Sequence, residues 1–308
     1  MEKHLFDTIQ DEIAFLKKKR DAVILAHNYQ TMDIQGVADH VGDSLFLART
    51  AAKLPNKVVL FSGVHFMAET VSILAQDKTV LMPDPDAGCS LASMVQAGDV
   101  RKWKAEHPGG LVVCYVNTSA EVKAESDYAC TSANAVQVVA SLPAETDILF
   151  IPDFFLGLYA QRQTGRKLHL WPGFCHVHAR INSEHIEQVK KQYPDAELLM
   201  HPECGCLTKS MHLADKILST GGMVKHVEQS PKNEFLIATE TGLVEQLAAH
   251  HPSKTFRPVG DRATCEYMKM NTLEKIARSL EHMQYEVRVP KEIADRARLS
   301  IERMISIG

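Results

Sequence analysis

Short apolar runs and amphipathic stretches alternate along this chain, and the whole pattern occurs three times. An apolar run ends in a polar cluster at residues 22–30, 111–119 and 197–205, where the sequence reads AVILAHNYQ, LVVCYVNTS and ELLMHPECG. A second apolar run follows in each unit, NKVVLFSG, TDILFIPD and NEFLIATE, and leads into an amphipathic stretch. Buried strands that alternate with helices are typical of βαβ units and parallel sheets.

Equivalent positions in the three units are close to 88 residues apart. Tyr115 lies 88 residues after His27, and His201 lies 86 residues after Tyr115. A hydroxyl residue precedes a helical pattern in each unit, in two steps of 88 residues, at Ser44, Ser132 and Thr220. A fixed period of this kind indicates repeated structural units.

We therefore predict an α/β protein of three pseudo-threefold-related, three-layer domains, each with a parallel sheet. The predicted domains I, II and III span 1–92, 93–179 and 180–266 and carry Cys89, Cys175 and Cys265 respectively, in steps of 86 and 90 residues. Residues 267–308 read as an appended tail of two helices, the first of which is predicted to begin at a capping box of Asn271 and Glu274.

Composition limits the kind of partner and compartment. The 308 residues carry a net charge of -4, which disfavours a broad nucleic-acid or acidic-membrane surface. The N-terminal segment lacks the apolar stretch of an export signal, and no run approaches the ~20 apolar residues of a membrane span. The protein is predicted to be cytoplasmic, where its seven cysteines stay reduced and serve packing, metal binding or catalysis.

The polar clusters that follow the strands are predicted to form the functional site. Ligands of parallel sheets gather at the carboxyl ends of the strands, where helix N-termini offer unpaired N–H groups. The candidates at strand ends are His27, Tyr29, Tyr115, Asn117, His201 and Glu203. The candidates at helix starts, which could bind carboxylate or phosphate oxygens or simply cap their helices, are Ser44, Ser132, Ser219 and Thr220.

Three cysteines stand out because they are equivalent under the repeat. No pair has CxxC spacing, and a single cysteine is more often a packing residue than a ligand. Loops at the same place in three domains can nevertheless meet, which makes Cys89, Cys175 and Cys265 candidate ligands of one iron–sulfur cluster. Three thiolates on four irons leave one iron open as a Lewis acid, which suits dehydration or condensation. His178, beside Cys175, could reach the same place, and Glu203 is a candidate general base if apolar surroundings raise its pKa.

Two other functions fit parts of the pattern. A mononuclear zinc hydrolase could use His176, His178, His201 and Glu203, since an HxH followed by a distant histidine suits zinc. A non-enzymatic module could bind anions through the hydroxyls at the helix starts. Binding alone gives no reason for a cysteine at the same point of three repeats, so this last alternative ranks lowest.

Many segments together resemble one family, the quinolinate synthases, over nearly the whole chain. The similar segments are LAHNYQ, VADHVGDSLFLAR, GCS, YVNTSAEVKAESDYACTSAN, IPDFFLGLY, WPGFCHVHARI, HPECGC, LSTGGM, ATETGL and CEYMKMNTLEKI. The resemblance implies three α/β domains around a central, oxygen-sensitive 4Fe–4S cluster bound by Cys89, Cys175 and Cys265. It also implies condensation of iminoaspartate with dihydroxyacetone phosphate to give quinolinate, phosphate and two waters for NAD biosynthesis.

The resemblance also assigns roles to the site residues. Residues implied to hold substrate carboxylates are His27, Ser44, His201, Ser219 and Thr220. Residues implied to assist phosphate release, isomerisation and proton transfer are Tyr29, Tyr115, Asn117, Ser132 and Glu203. Iminoaspartate is unstable, so L-aspartate oxidase, which supplies it, is a candidate partner.

Two stretches depart from the family's commoner forms. PDFFLG differs from the commoner forms of the PDxxLG segment at its two variable positions, and TCEYMKM differs from the commoner CPxMK, which leaves open the contacts of Phe154, Phe155, Glu266 and Tyr267. Cys204 and Cys206 lie beside the site without belonging to the implied ligand set, and no second cysteine near Cys265 is present to form a redox disulfide.

Overall fold

A computed structural model describes residues 6–260 and 262–307, and these residues form three four-stranded sheets whose strand pairs are all parallel. Helices pack on both sides of the sheets, so the architecture is α/β with three domains, as the alternating pattern predicts. Within those ranges, no helix is both long enough and apolar enough to cross a membrane.

The first sheet is built from residues 22–81. Its strands, in spatial order, are β2 (His40–Gly42), β1 (Ala22–His27), β3 (Val58–Ser62) and β4 (Thr79–Leu81). Its helices are α1 (Ile9–Arg20), α2 (Met32–Val37), α3 (Ser44–Ala51) and α4 (His65–Leu74). Every residue of β1 is buried, which explains why its sequence is a continuous apolar run rather than an alternation.

The second sheet is built from residues 111–170. Its strands, in spatial order, are β6 (Tyr128–Cys130), β5 (Leu111–Tyr115), β7 (Ile148–Ile151) and β8 (His169–Leu170). Its helices are α5 (Ala97–Glu106), α6 (Ala120–Glu125), α7 (Ala135–Ser141) and α8 (Phe154–Thr164), and the short α9 (His176–Ala179) follows β8.

The third sheet is built from residues 197–258. Its strands, in spatial order, are β10 (Lys216–Ile217), β9 (Glu197–Met200), β11 (Glu234–Ala238) and β12 (Thr255–Pro258). Its helices are α10 (Ser183–Gln192), α11 (Leu207–Ser210), α12 (Thr220–Gln229) and α13 (Thr241–His250). The strand order is the same in all three sheets, with β1, β5 and β9 in equivalent central places. The internal repeat inferred from spacing is therefore a repeat of topology.

The last two helices, α14 (Leu273–His282) and α15 (Lys291–Ser306), pack into the first two domains. Leu273, Ile276 and Leu280 of α14 share an apolar cluster with residues of α1 and β1. Ala294, Ala297, Ile301 and Met304 of α15 are fully buried against the main core. The segment is therefore more than an appendage, because its apolar faces complete the cores of domains I and II.

The predicted capping box of α14 is wrong by one residue. The N-cap is Thr272, whose hydroxyl accepts a hydrogen bond from the Lys275 backbone N–H at 3.3 Å. The Asn271 side chain instead donates to the carbonyl of Gly63 at 2.9 Å and is buried. Sequence spacing alone cannot tell which of the neighbouring residues Asn271 and Thr272 caps the helix. The Asn271 amide is engaged elsewhere only because the tail packs against domain I.

Asn134 anchors the end of α15, and its removal should weaken the fold. Its side-chain amide donates to the carbonyls of Met304 at 3.0 Å and Ile307 at 2.8 Å. Asn134→Ala removes both of these bonds, together with those that its Oδ1 accepts from the Thr131 N–H at 2.9 Å and hydroxyl at 3.3 Å. The free energy of unfolding should therefore fall by about 1–3 kcal/mol in urea titrations. Asn233→Ala, at an exposed position, is the control and should change stability by less than about 0.5 kcal/mol. Equal stabilities of the two variants would contradict this anchoring role.

Candidate active site

The carboxyl ends of the central strands β1, β5 and β9 open on one shared cavity. Most residues predicted for the site line it: His27, Tyr29, Ser44, Tyr115, Asn117, Ser132, His178, His201, Glu203 and Thr220, together with Cys89, Cys175 and Cys265. The three repeats thus contribute to a shared site, which explains why equivalent positions carry polar residues in an otherwise apolar sequence.

Ser219 is the predicted site residue that does not line this cavity. Its hydroxyl caps α12 by accepting from the Gly222 N–H at 3.1 Å, and it donates to the Asp43 carboxylate at 3.1 Å. The contact joins domain III to domain I beside the cavity. The adjoining Thr220 lies in the lining and accepts from the Asn28 amide at 3.0 Å.

The hydroxyl of Tyr29 contacts two side chains, one from domain III and one from the short helix α9. Its hydroxyl lies 2.7 Å from the Thr239 Oγ1 and 3.3 Å from the His178 Nε2, and those two atoms are themselves 2.9 Å apart. Burial raises the pKa of Tyr29 well above its ordinary value, and the nearby Glu203 carboxylate raises it further. Tyr29 is therefore a neutral phenol, able to donate a hydrogen bond at a fixed place.

Glu203 lies between two histidines at the bottom of the site. Its Oε2 is 3.4 Å from the Nδ1 of His178 and 3.3 Å from the Nδ1 of His201, and all three side chains are buried. Burial raises the pKa of Glu203 well above its ordinary value, the negative charge of Asp153 raises it further, and a hydrogen bond from Tyr115 lowers it. Glu203 is only 3% exposed, so it is not a solvated loop carboxylate.

Three histidines of the site, His27, His178 and His201, are neutral. Burial lowers the pKa of His27 to about 3, helped by the positive charge of Lys269. Burial likewise lowers the pKa of His178 to about 3 and that of His201 well below its ordinary value. The contacts of His178 and His201 with Glu203 are consequently not ion pairs. Each neutral ring keeps one N–H donor and one acceptor nitrogen.

Several buried polar atoms of the cavity wall have no hydrogen-bond partner within the described residues. They include the Nδ1 of His178, the Oε1 of Glu203 and the Oδ1 of Asn117. Buried polar groups in native proteins are nearly always paired, so unpaired ones facing a cavity indicate a polar ligand or ion. The site is built for an occupant with its own donors and acceptors.

The thiols and the neighbouring polar groups could hold a metal. Single ligand atoms of Cys175, His178 and Glu203 all lie within 4.8 Å of one another. Burial raises the pKa of Cys89 to about 12 and that of Cys265 to about 11, and it raises that of Cys175 well above its ordinary value. Such thiols ionise only when a metal takes the place of the proton.

The remaining cysteines pack in the apolar cores. Cys114, Cys130, Cys204 and Cys206 are at most 1% exposed, as expected of packing residues. The Cys204 thiol donates to the carbonyl of Ala238 at 3.1 Å. His176, a candidate in the zinc alternative, contacts Ser90 and Glu266 rather than His178 or His201.

Three further residues at the site could hardly be predicted from the sequence. Thr239 holds Tyr29 and His178, as described above. The fully buried Glu240 accepts from the backbone N–H of Cys265 at 3.1 Å and of Gly242 at 2.7 Å. Lys269 lies 3.2 Å from Glu240 and donates to the carbonyl of Tyr29, which ties domain I to the loop that carries Cys265. The one sequence signal was the position of Thr239 and Glu240, which directly follow β11.

Comparison of the sequence with known proteins identifies the family of this chain. Residues 11–306 match the family model described as "Quinolinate synthetase A protein". The chain belongs to the quinolinate synthetase A family. Relatives named quinolinate synthase include that of Pyrobaculum aerophilum, 52% identical over 97% of this chain and 100% of that protein. The quinolinate synthase of Thermus thermophilus is 52% identical over 98% of each chain, and that of Mycobacterium tuberculosis 51% identical over 96% of this chain and 88% of its own.

Membership of the quinolinate synthetase A family makes the protein an enzyme and confirms the resemblance found in the segments. The two stretches that depart from the commoner family forms have defined contacts. The backbone N–H of Phe154 donates to the Gly173 carbonyl at 2.8 Å, and its ring meets that of Phe155 edge to face. Glu266 accepts from His176, and the ring of Tyr267 stands perpendicular to the His176 ring.

Proposed function

We propose that this protein is a quinolinate synthase of NAD biosynthesis. It condenses iminoaspartate with dihydroxyacetone phosphate and releases quinolinate, phosphate and two waters. One 4Fe–4S cluster, bound by Cys89, Cys175 and Cys265, serves the reaction. The observation that carries the proposal is the meeting of these cysteines, one from each repeat, at a cavity that also holds the histidines, tyrosines and Glu203.

The donor set fits such a cluster. Soft thiolate ligands favour iron–sulfur clusters, and Cys89, Cys175 and Cys265, all free thiols, belong to three equivalent loops. Their raised pKa values mean that binding has to release protons, as is usual for thiolate sites. When bound, a cluster with three cysteine ligands supplies an open iron that acts as a Lewis acid toward a carbonyl or hydroxyl oxygen.

Neutral donors bind the anionic substrates. Among the described residues that line the cavity there is neither lysine nor arginine. The neutral imidazoles of His27 and His201 and the hydroxyls of Ser44, Ser132 and Thr220 therefore hold carboxylate or phosphate oxygens by hydrogen bonds. Lys269, paired with Glu240, adds positive charge behind His27 without entering the lining.

Proton transfer is assigned to Glu203 and the two tyrosines. Glu203 touches His178, His201 and Tyr115, so a proton at its carboxyl can pass to or from the substrate or be shared with an imidazole. Tyr29 and Tyr115 remain phenols and donate to oxygens that gain negative charge as bonds break. Asn117 offers an unpaired carbonyl oxygen as an acceptor for a substrate hydroxyl.

The proposal is tested on protein purified without oxygen. We expect a brown protein with about four irons and four sulfides per chain, and formation of quinolinate with equimolar phosphate from the two substrates. A protein that remains colourless after reconstitution with iron and sulfide would refute the cluster. Stoichiometric zinc in its place would favour the zinc hydrolase instead. Contact with L-aspartate oxidase stays a prediction, to be checked by co-sedimentation of the two proteins.

Thr239 should affect turnover through Tyr29 and His178 without touching the metal ligands. Thr239→Val keeps the shape of the side chain but removes the hydroxyl that lies 2.7 Å from Tyr29 and 2.9 Å from His178. The value of kcat should fall roughly tenfold, the usual effect of one lost hydrogen bond to a catalytic group. Iron and sulfide contents should equal those of the wild type. Thr255→Val, on the exposed end of β12, is the control and should keep full activity.

A further inference from the structure

The residue that follows each of the three cysteines takes part in one chain of hydrogen bonds. Ser90 follows Cys89, His176 follows Cys175, and Glu266 follows Cys265. The Ser90 Oγ is 2.7 Å from the His176 Nδ1, and the His176 Nε2 is 2.9 Å from the Glu266 Oε1. Two bonds thus join the three loops that carry the cysteines.

The chemistry of the groups fixes the direction of the bond to Glu266. A carboxylate has no proton to give, so the His176 Nε2–H donates to Glu266. The Nδ1 of a neutral ring accepts from the Ser90 hydroxyl, and the Nδ1–H of a protonated ring donates to it, so the bond to Ser90 forms in either state. Every polar atom of the His176 ring is used, which fixes the orientation of the ring. The perpendicular ring of Tyr267, with its centroid 6.1 Å away, packs beside it.

The chain lies at the border between the cavity and solvent. Ser90 and His176 line the cavity, whereas the side chain of Glu266 is 53% exposed. The loops come from different domains: the first follows β4, the second follows β8 and leads into α9, and the third follows β12. Opening any one of them would expose the thiols, so a link between all three acts against opening.

We propose that Ser90, His176 and Glu266 form a clasp that holds the three cysteine loops together and slows loss of the metal. This inference rests on the proposed function for the identity of the metal, a 4Fe–4S cluster. The clasp residues are positioning residues: they follow the ligands in sequence and bind one another.

A contact between charged groups at the protein surface contributes little to stability on its own. The contact between His176 and Glu266 is therefore compared with a similar contact that links no cysteine loops. His226 and Glu197 form the same type of contact at 2.8 Å, with His226 24% exposed against 26% for His176. Both residues of that pair belong to domain III, so it links no cysteine loops. His226→Ala therefore tests for a general loss of stability without opening the site.

Two rates are measured in His176→Ala, Glu266→Ala, Glu266→Gln and His226→Ala. The first is bleaching of the visible absorption of the loaded protein by an iron chelator. The second is the reaction of the metal-free protein with a chromogenic disulfide reagent, which reports how often the three cavity thiols become accessible. Both rates should rise roughly three- to tenfold in His176→Ala and Glu266→Ala, the change expected from one or two lost hydrogen bonds. Glu266→Gln, which keeps an acceptor oxygen, and His226→Ala should stay within about twofold of wild type.

The outcomes separate the clasp from the proposed function. Unchanged rates in His176→Ala and Glu266→Ala would overturn the clasp, as would equal defects in Glu266→Gln and Glu266→Ala, because charge rather than hydrogen bonding would then be responsible. If the wild type binds no cluster, the proposed function fails, yet the thiol rates of the metal-free protein still decide whether the loops are clasped. Ser90→Ala, which removes one bond without touching Glu266, should give an intermediate rate.

Discussion

Cys89→Ala, Cys175→Ala and Cys265→Ala are each expected to yield a colourless protein without quinolinate synthase activity. Each cysteine comes from a different repeat, and each lines the same cavity. Removing one leaves two thiols, whose pKa values are raised by burial and which must ionise to bind iron. Iron and sulfide content, visible absorption and quinolinate formation are measured on protein kept free of oxygen.

Cys204→Ala and Cys206→Ala are the matched controls, because these cysteines lie in the same segment as Glu203 but are packed in the apolar core of domain III. They should keep the full iron content and the activity, with a stability loss of about 1 kcal/mol for each small cavity. A variant at Cys89, Cys175 or Cys265 that retains wild-type iron and absorption would remove that residue from the ligand set. Iron loss in the Cys204 or Cys206 variants would require a larger set.

The fold could be predicted from the repeat because local patterns set it. The runs that begin at Ala22, Leu111 and Glu197 are continuous apolar segments that become the central strands of three identical sheets. Each is buried on both faces, so the sequence shows no alternation and each strand is marked by its length and flanking polar residues. The place of the tail could not be predicted, since the faces of α14 and α15 match domain surfaces that exist only after folding.

The site could be predicted in part for the same reason. Residues at equivalent strand ends, such as His27, Tyr115 and His201, must lie at one edge of their sheets, and the threefold repeat brings the three edges together. Contacts between domains carry no such periodic signal. Thr239 is 210 residues away from its partner Tyr29. Ser219 resembles Thr220 in the sequence, yet it caps a helix beside the cavity.

The contacts among the residues that follow the three cysteines could not be predicted from the sequence for a further reason. Ser90, His176 and Glu266 occupy equivalent positions but are three different residues, so a search for similar side chains passes over them. Their relation is complementary: a hydroxyl, an imidazole ring and a carboxylate. Complementarity between loops of different domains becomes visible only in the folded structure.

Glu203→Gln is expected to lower kcat about 10²- to 10⁴-fold while leaving the fold intact, the usual range for loss of an acid–base group. The amide has the size of a protonated carboxyl and can still contact His178 and His201, so packing at the bottom of the cavity is kept. An amide cannot pass a proton between the substrate and an imidazole. The comparison therefore isolates proton transfer from binding, and KM should change much less than kcat.

Because Glu203 lies within 4.8 Å of the Cys175 thiol group, a loss of activity has to be separated from a loss of metal. Iron, sulfide and visible absorption of Glu203→Gln should equal those of the wild type. Glu197→Gln, in the strand that precedes Glu203 but bonded to His226 and Ser230 outside the cavity, should keep its activity. If Glu203→Gln retains kcat within a factor of about three, then Glu203 only orients the two histidines, and Tyr29 or Tyr115 becomes the candidate for proton transfer. If kcat falls only in step with iron content, Glu203 supports the metal site rather than the protons of the reaction.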